Sequence, residues 1–484
     1  MKLTRRTPLT ALIVSVTLLS LSAMLASAET YQSKLERVDA HYRAGEYTQA
    51  KTLLGELATA LPDNPTILRW QGTVALALNE LDAAITALQA SLAKEPDNAV
   101  ALNNLGTAYS RKDQNDLAAA QFEKAIAADP EGFEGHYNLA TVLTKPEERD
   151  RQFAEFEAAL KAKPTEFRVL VGYGRTLQLA GETKKAVVQY ELARTTDPKS
   201  GALLVTLGEL YMGLRNYPKA VELYEAVAGL EPNNVTAQLQ LGSALYLDGK
   251  FEEASQRFAT GLALDDKSFT AAYNLGLSLM RLDQTDQAVA NFRKACDLDP
   301  TSTAAREQLA SLFIGQKKWD EAIAALQALV ELDPQNRMAQ TNLAYALMSA
   351  GRAEEAVKQW EQVVARFPED ANAHRNLALL YFRMESRDAA LREYLYALTL
   401  QPKDSEAHNN VGLIYLKRDN LAGAGVQFRQ ALADDANNVY ALNNLGVTLE
   451  RQGNAAGARE QYQKALAVDS NFEPARKNLN RLGG

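Results

Sequence analysis

Residues 269–302 read FTAAYNLGLSLMRLDQTDQAVANFRKACDLDPTS, and residues 303–336 repeat the pattern as TAAREQLASLFIGQKKWDEAIAALQALVELDPQN. Leu275 falls on Leu309, Gly276 on Ala310, Ala288 on Ala322 and Pro300 on Pro334. The register extends in both directions. Pro62, Pro96, Pro130, Pro164, Pro198 and Pro232 stand 34 residues apart, and Pro300, Pro334, Pro368 and Pro402 continue the series. Asp266, Ala436 and Ser470 fill the remaining slots, so thirteen slots fit between residues 31 and 472 without insertion or deletion. Twelve residues before each slot stands an alanine, from which only Gln152 departs. Four residues after it comes a large apolar side chain such as Phe122, Tyr224 or Trp360. Length alone would suggest about three domains, but an unbroken period overrides that prior.

Within each unit the apolar positions recur at spacings of three and four, the stripe of an amphipathic helix. Small residues at fixed places let two helix backbones approach, and the large residue fills the gap between them. Each slot proline reads as the opener of the next helix, where its missing N–H costs nothing, and Pro65, Pro218 and Pro474 read the same way. Gly45, Gly181, Gly249, Gly351 and Gly453 fall mid-unit, where glycine ends a first helix. The pattern predicts helix pairs starting at 31, 65, 99, 133, 167, 201, 235, 269, 303, 337, 371, 405 and 439. In the unit at 133, Pro146, Glu147 and Glu148 predict an early start to the second helix, with a hinge as the alternative. Residues 473–484 predict a short capping helix.

This period and residue pattern resemble the tetratricopeptide repeat (TPR) family, over residues 31–472. The resemblance implies an all-α fold: an α-solenoid of about thirteen helix-turn-helix units wound into a right-handed superhelix. First helices would line its concave face and second helices its outside, with residues 29–472 forming one array rather than several domains. The atypical first unit, with Val38 and Leu54 in place of glycine and an aromatic, fits a terminal cap.

Residues 1–28 read differently. Lys2, Arg5 and Arg6 precede an apolar run from Leu9 to Leu25, and Ala26-Ser27-Ala28 supplies the small residues of a cleavage site. The expectation is a signal peptide cleaved near Ala28, giving a periplasmic or secreted protein; an uncleaved anchor is the alternative. Cleavage would remove three basic residues and leave 49 basic against 60 acidic, an excess that repels phosphate backbones and argues against nucleic acid. No later stretch is long and apolar enough to span a membrane. Cys296 is the only cysteine, so no internal disulfide is available and packing must carry stability.

No catalytic constellation stands out, and the expectation is a protein that is not an enzyme and needs no cofactor or metal. His136, His374 and His408 recur at one packing slot, and His41 occupies another. Gly172-Tyr173-Gly174 lacks the third glycine and the preceding strand of a nucleotide-binding turn. The chemistry-bearing signal is a column of amides at the sixth position: Asn104, Asn138, Asn274, Asn342, Asn376, Asn410 and Asn444, with Asn478 in the cap and Gln240 and Gln308 between. An amide offers one acceptor and two donors, so it can read a peptide bond irrespective of side chain. The column resembles the asparagine-lined TPR superhelix of O-linked N-acetylglucosamine transferase, which implies capture of extended peptides. The alternative is that the amides tie neighbouring first helices together.

Tyr345, Leu379, Phe382 and Leu413, with Tyr273, Met280, Ile314, Met348 and Leu416, would add an apolar stripe beyond what repeat packing requires. The carboxylate clamp of chaperone-tail-binding members is absent: Arg69 and Arg375 are followed four residues later by Thr73 and Leu379, not asparagine. The expected function is an exported scaffold or adaptor whose groove binds extended segments of a protein or peptide partner. An oligomerising scaffold for a folded partner, or self-association, is the alternative. N-terminal sequencing of exported protein should begin at Glu29; an intact Met1 in the membrane fraction would contradict the cleavage.

Overall fold

A computed structural model describes residues 31–483, so the expected signal segment, residues 1–28, lies outside the described residues. Among those described, helices alternate with short turns and no strand occurs. The chain divides into two compact units, one through Leu230 and one from Glu231. The first holds repeats one to six and the second repeats seven to thirteen plus the capping helix Glu473–Gly483. Within each unit consecutive helix pairs stack as a TPR solenoid. Neighbours share their core: Ala378, Ala390 and Tyr394 of one repeat are buried with Ala407, Val411 and Ile414 of the next.

The close contact inside a repeat joins its eighth and twenty-fourth residues. A Cβ placed on Gly276 would lie 2.8 Å from Phe292, one on Gly106 2.5 Å from Phe122, and one on Gly446 2.5 Å from Tyr462. Phe292 is fully buried at this slot, a burial that contributes roughly 1.5–3 kcal/mol. Where the eighth residue is alanine, as in Ala344 opposite Trp360, the pair is still buried.

Helix ends follow local backbone chemistry. Gly45, Gly181, Gly249, Gly351 and Gly453 have φ between 77° and 83°, as C-capping glycines should. The same left-handed geometry is held by Asn79, Asp113, Arg215, Asp283, Lys317, Glu385 and Asp419, with φ of 56–63°. Asn and Asp tolerate it; Arg215, Lys317 and Glu385 are held there by the repeat geometry around them.

The slot prolines do not open helices. Each lies three residues before its helix, as Pro334 does before Arg337–Ser349, and all but Pro402 sit in a four-residue turn closed by bonds such as Asn336 N–H to Asp333 O at 3.1 Å. Proline's fixed φ suits the second place in such a turn. An aspartate before the slot orders the turn with or without proline: Asp265, Asp435 and Asp469 accept from the N–H groups of Lys267, Asn437 and Asn471 at 2.9–3.1 Å, and Asp333, before Pro334, accepts from that of Gln335 at 3.0 Å. Pro65, by contrast, does begin a helix, after the N-cap Asn64.

Repeat four also differs from expectation. Its second helix, Arg149–Ala162, starts in register, preceded by a single 3-10 turn at Pro146–Glu148, while the first helix ends early at Val142. Early termination leaves first-helix carbonyls without an intrahelical partner. Gln152 supplies one, donating Nε2–H to Ala140 O at 2.9 Å. The one departure from the alanine column is thus a compensation for the shortened helix.

Gly276→Leu should lower stability by roughly 1–3 kcal/mol, since the added volume must displace Phe292. Gly55→Ala, with nothing within 4 Å of the new Cβ, should raise it by up to about 1 kcal/mol. Denaturant midpoints read both; a Gly276→Leu chain that unfolds like wild type would contradict the contact.

Candidate functional site

The seven predicted asparagines lie at the sixth position of their first helices, one residue before a buried side chain that is Val411 after Asn410 and leucine after the others. All seven predicted asparagines are half-buried there. In the first unit both are tied: Asn104 Nδ2–H donates to Thr73 Oγ1 at 2.9 Å and Asn138 Nδ2–H to Asn103 Oδ1 at 3.4 Å. In the second unit the column divides. Asn444 Nδ2–H donates to Asn409 Oδ1 of the preceding repeat at 2.9 Å, and Asn478 to Asn443 likewise. Asn410 Nδ2–H donates to the Tyr394 hydroxyl at 2.9 Å, whose own ionisation burial holds well above its ordinary range.

Asn274, Asn342 and Asn376 make no side-chain hydrogen bond among the described residues, and no atom of theirs is sealed from water. Their amides therefore face solvent with donors and acceptor unspent. The ties of Asn444 and Asn478 rest on fifth-position Asn409 and Asn443, which are buried and were not singled out in the sequence. The Asn-Asn doublets at 103–104, 409–410 and 443–444 were the available signal.

Two clefts open between consecutive first helices around the free amides. Asn342 lines one of about 530 Å³ with Glu307, Gln308, Ser311, Ile314 and Met338. Asn376 lines the next, about 320 Å³, with Arg337, Met338, Thr341, Trp360 and Asp370. Met338 borders both and is 73% exposed. Twelfth-position residues Tyr246, Met280, Ile314, Met348, Phe382 and Leu416 form an unbroken, half-buried apolar series over six repeats of this unit. The first unit's twelfth positions include Ser110, Thr144 and Gln178, so it has no such series.

The predicted apolar residues differ in role. Leu379 and Phe382 pack against the cluster around Tyr394, and Leu413 against Phe428 and Leu445, so repeat packing does use part of their surface. Tyr345 is exposed, its ring edge-on to Trp319 at 6.2 Å.

The histidines are engaged structurally. His374 sets Nδ1 2.7 Å from Glu393 Oε2 and Nε2 3.1 Å from Pro368 O; His136 and His408 repeat the arrangement with Glu155 and Gln427. Gln238 and Gln340 occupy the same slot and donate to Pro232 O and Pro334 O. The slot thus fastens the inter-repeat turn to its helix. Among the described residues no three His, Cys, Asp or Glu side chains gather as a metal site. Burial pushes the Cys296 thiol up.

Three family models, each described as a tetratricopeptide repeat, match the chain. One matches residues 35–99, 103–166, 273–337, 307–371, 341–385 and 376–428, a second 211–276 and a third 439–472. No functionally curated protein matches by sequence. Among solved structures, the chain is similar to the APC/C hetero-tetramer Cut9–Hcn1, at 15% identity over 92% of this chain and 95% of that one, with a TM-score of 0.34. It is similar to PilF of Pseudomonas aeruginosa at 19% identity over 45% of this chain and 98% of that one, with a TM-score of 0.37. A MamA structure matches at 22% identity over 36% of this chain and 96% of that one, with a TM-score of 0.34. The first family model alone accounts for more than half of the residues, and the chain belongs to the tetratricopeptide repeat family.

Proposed function

We propose that the chain is an exported scaffold or adaptor that binds extended segments of partner proteins on the first-helix face of its second unit. Tetratricopeptide repeats suggest a protein-interaction scaffold, typically a non-catalytic one. The observation that carries the finer reading is the set of amides without internal partners, Asn274, Asn342 and Asn376, beside the apolar series of Met280, Ile314, Met348 and Phe382. First helices of adjacent repeats pack roughly 9–10 Å apart, so an extended chain rising ~3.4 Å per residue meets an amide about every third residue. The amides hold main chain, and the thioethers of Met280, Met338 and Met348 adapt to varied apolar side chains. Each amide contact is worth only ~0.5–1.5 kcal/mol net, so useful affinity needs several repeats together. Export rests on the basic, apolar and small-residue succession of residues 1–28, and the acidic balance of the remainder disfavours nucleic acid as a partner.

Affinity capture from an envelope extract, with mass spectrometry, supplies a partner for calorimetry. Asn342→Ala with Asn376→Ala should weaken its binding by about 2–4 kcal/mol, from roughly two lost hydrogen bonds each, and leave melting nearly unchanged. Asn444→Ala should do the reverse, lowering stability by roughly 1–3 kcal/mol because Asn409 Oδ1 loses its donor, with little effect on binding. If the double variant melts much lower and its folded fraction binds normally, the amides are structural ties.

A further inference from the structure

The twenty-fourth side chain of a repeat reaches past its own first helix to the floor of the groove. At Tyr190, Tyr394 and Tyr462, though not at Tyr224, a groove residue meets the hydroxyl. Tyr190 Oη donates to Gln178 Oε1 at 3.3 Å and Tyr462 Oη to Glu450 Oε2 at 2.9 Å, both acceptors being twelfth-position side chains of the same repeat. Tyr394 Oη instead accepts from Asn410, the sixth-position amide of the next repeat. In repeat ten the slot holds Trp360, and neither neighbour serves. Its twelfth position is Met348, and the next sixth-position amide, Asn376, makes no side-chain hydrogen bond among the described residues. Trp360 is 3% exposed, and its indole N–H is sealed from water with no acceptor. A buried indole N–H ordinarily finds a partner, and leaving one unmet is costly.

Trp360 and Asn376 line the same cleft. We infer that Trp360 donates its indole N–H to a main-chain carbonyl oxygen of an extended partner segment whose peptide unit is also held by the Asn376 amide. This rests on the proposed groove function and names its anchoring rung. The unmet groups of the cleft are donors: Trp360 brings one N–H, Asn376 two, and the unpaired Arg337 guanidinium borders it, while the Asp370 carboxylate on its rim accepts from the Ala373 N–H. A main-chain carbonyl, with two lone pairs, answers two of these donors. Asn376 has no bond fixing its rotamer, so it can turn as the acceptor enters. An apolar side chain beside that carbonyl would lie on Met338.

The test uses a probe selected from a randomised library of peptides about twelve residues long, enough to span roughly four repeats. Trp360→Phe removes the N–H and keeps the ring; Phe122, Phe156, Phe258, Phe292 and Phe428 fill this slot elsewhere, so folding should survive. The variant should bind the selected peptide about 3- to 10-fold more weakly, with no fall in melting temperature. In the wild-type chain, one of the three indole N–H resonances should shift downfield and exchange more slowly when peptide is added, and that resonance should be missing from Trp360→Phe. A peptide that loses affinity on Asn376→Ala, yet binds Trp360→Phe as wild type and leaves the indole resonance in place, overturns the Trp360 donor and spares the groove. No library binder, or one insensitive to both Asn342→Ala and Asn376→Ala, overturns both.

Discussion

Each repeat closes where the large side chain of its second helix presses on a glycine or alanine of its first. At Gly106, Gly276 and Gly446 there is no room even for a methyl group beside the opposing ring. That contact sets how near the two helices come and therefore which side chains can reach across them. Because the ring passes beneath the first helix, its tip reaches the opposite face of the pair. The hydroxyls of Tyr190, Tyr394 and Tyr462 meet groove residues for that reason. A packing constraint inside the repeat thus decides what polar atoms appear on the surface used for binding.

The turns solve a backbone problem once and reuse the solution with different residues. A first helix ends in left-handed geometry whether the residue is Gly351 or Lys317, because the second helix must start at a fixed distance. The sequence made this legible only where glycine stood there; nothing in the side chains of Arg215, Lys317 or Glu385 announces a positive φ. The slot prolines were legible as punctuation but assigned to the wrong place. Their spacing gives the period, while the N-cap residues that follow, such as Asn98 and Asn438, mark the actual helix starts. Gln152 looked like an exception to the alanine column and proves to serve the shortened helix beside it.

The sixth-position column was legible as a column and not as two populations. Periodicity predicts where an amide sits, but its availability depends on what the preceding repeat offers. Asn409 accepts from Asn444, Thr73 from Asn104, and the Tyr394 hydroxyl from Asn410. Before Asn342 and Asn376 the corresponding fifth residues are Glu307 and Thr341, which line the clefts and make no bond to these amides. Binding capacity and inter-repeat adhesion are therefore alternative uses of one chemical group, chosen by its neighbour. The two units divide along that line: both amides of the first are tied, and the free ones lie in the second, together with the apolar series.

Hydrogen exchange of the whole chain, alone and with a bound partner segment, tests this account most directly. The account predicts slowed exchange in the first helices 269–281, 303–315, 337–349 and 371–383, with little change in the second helices or in the first unit. Protection confined to second helices, or to the first unit, would contradict it.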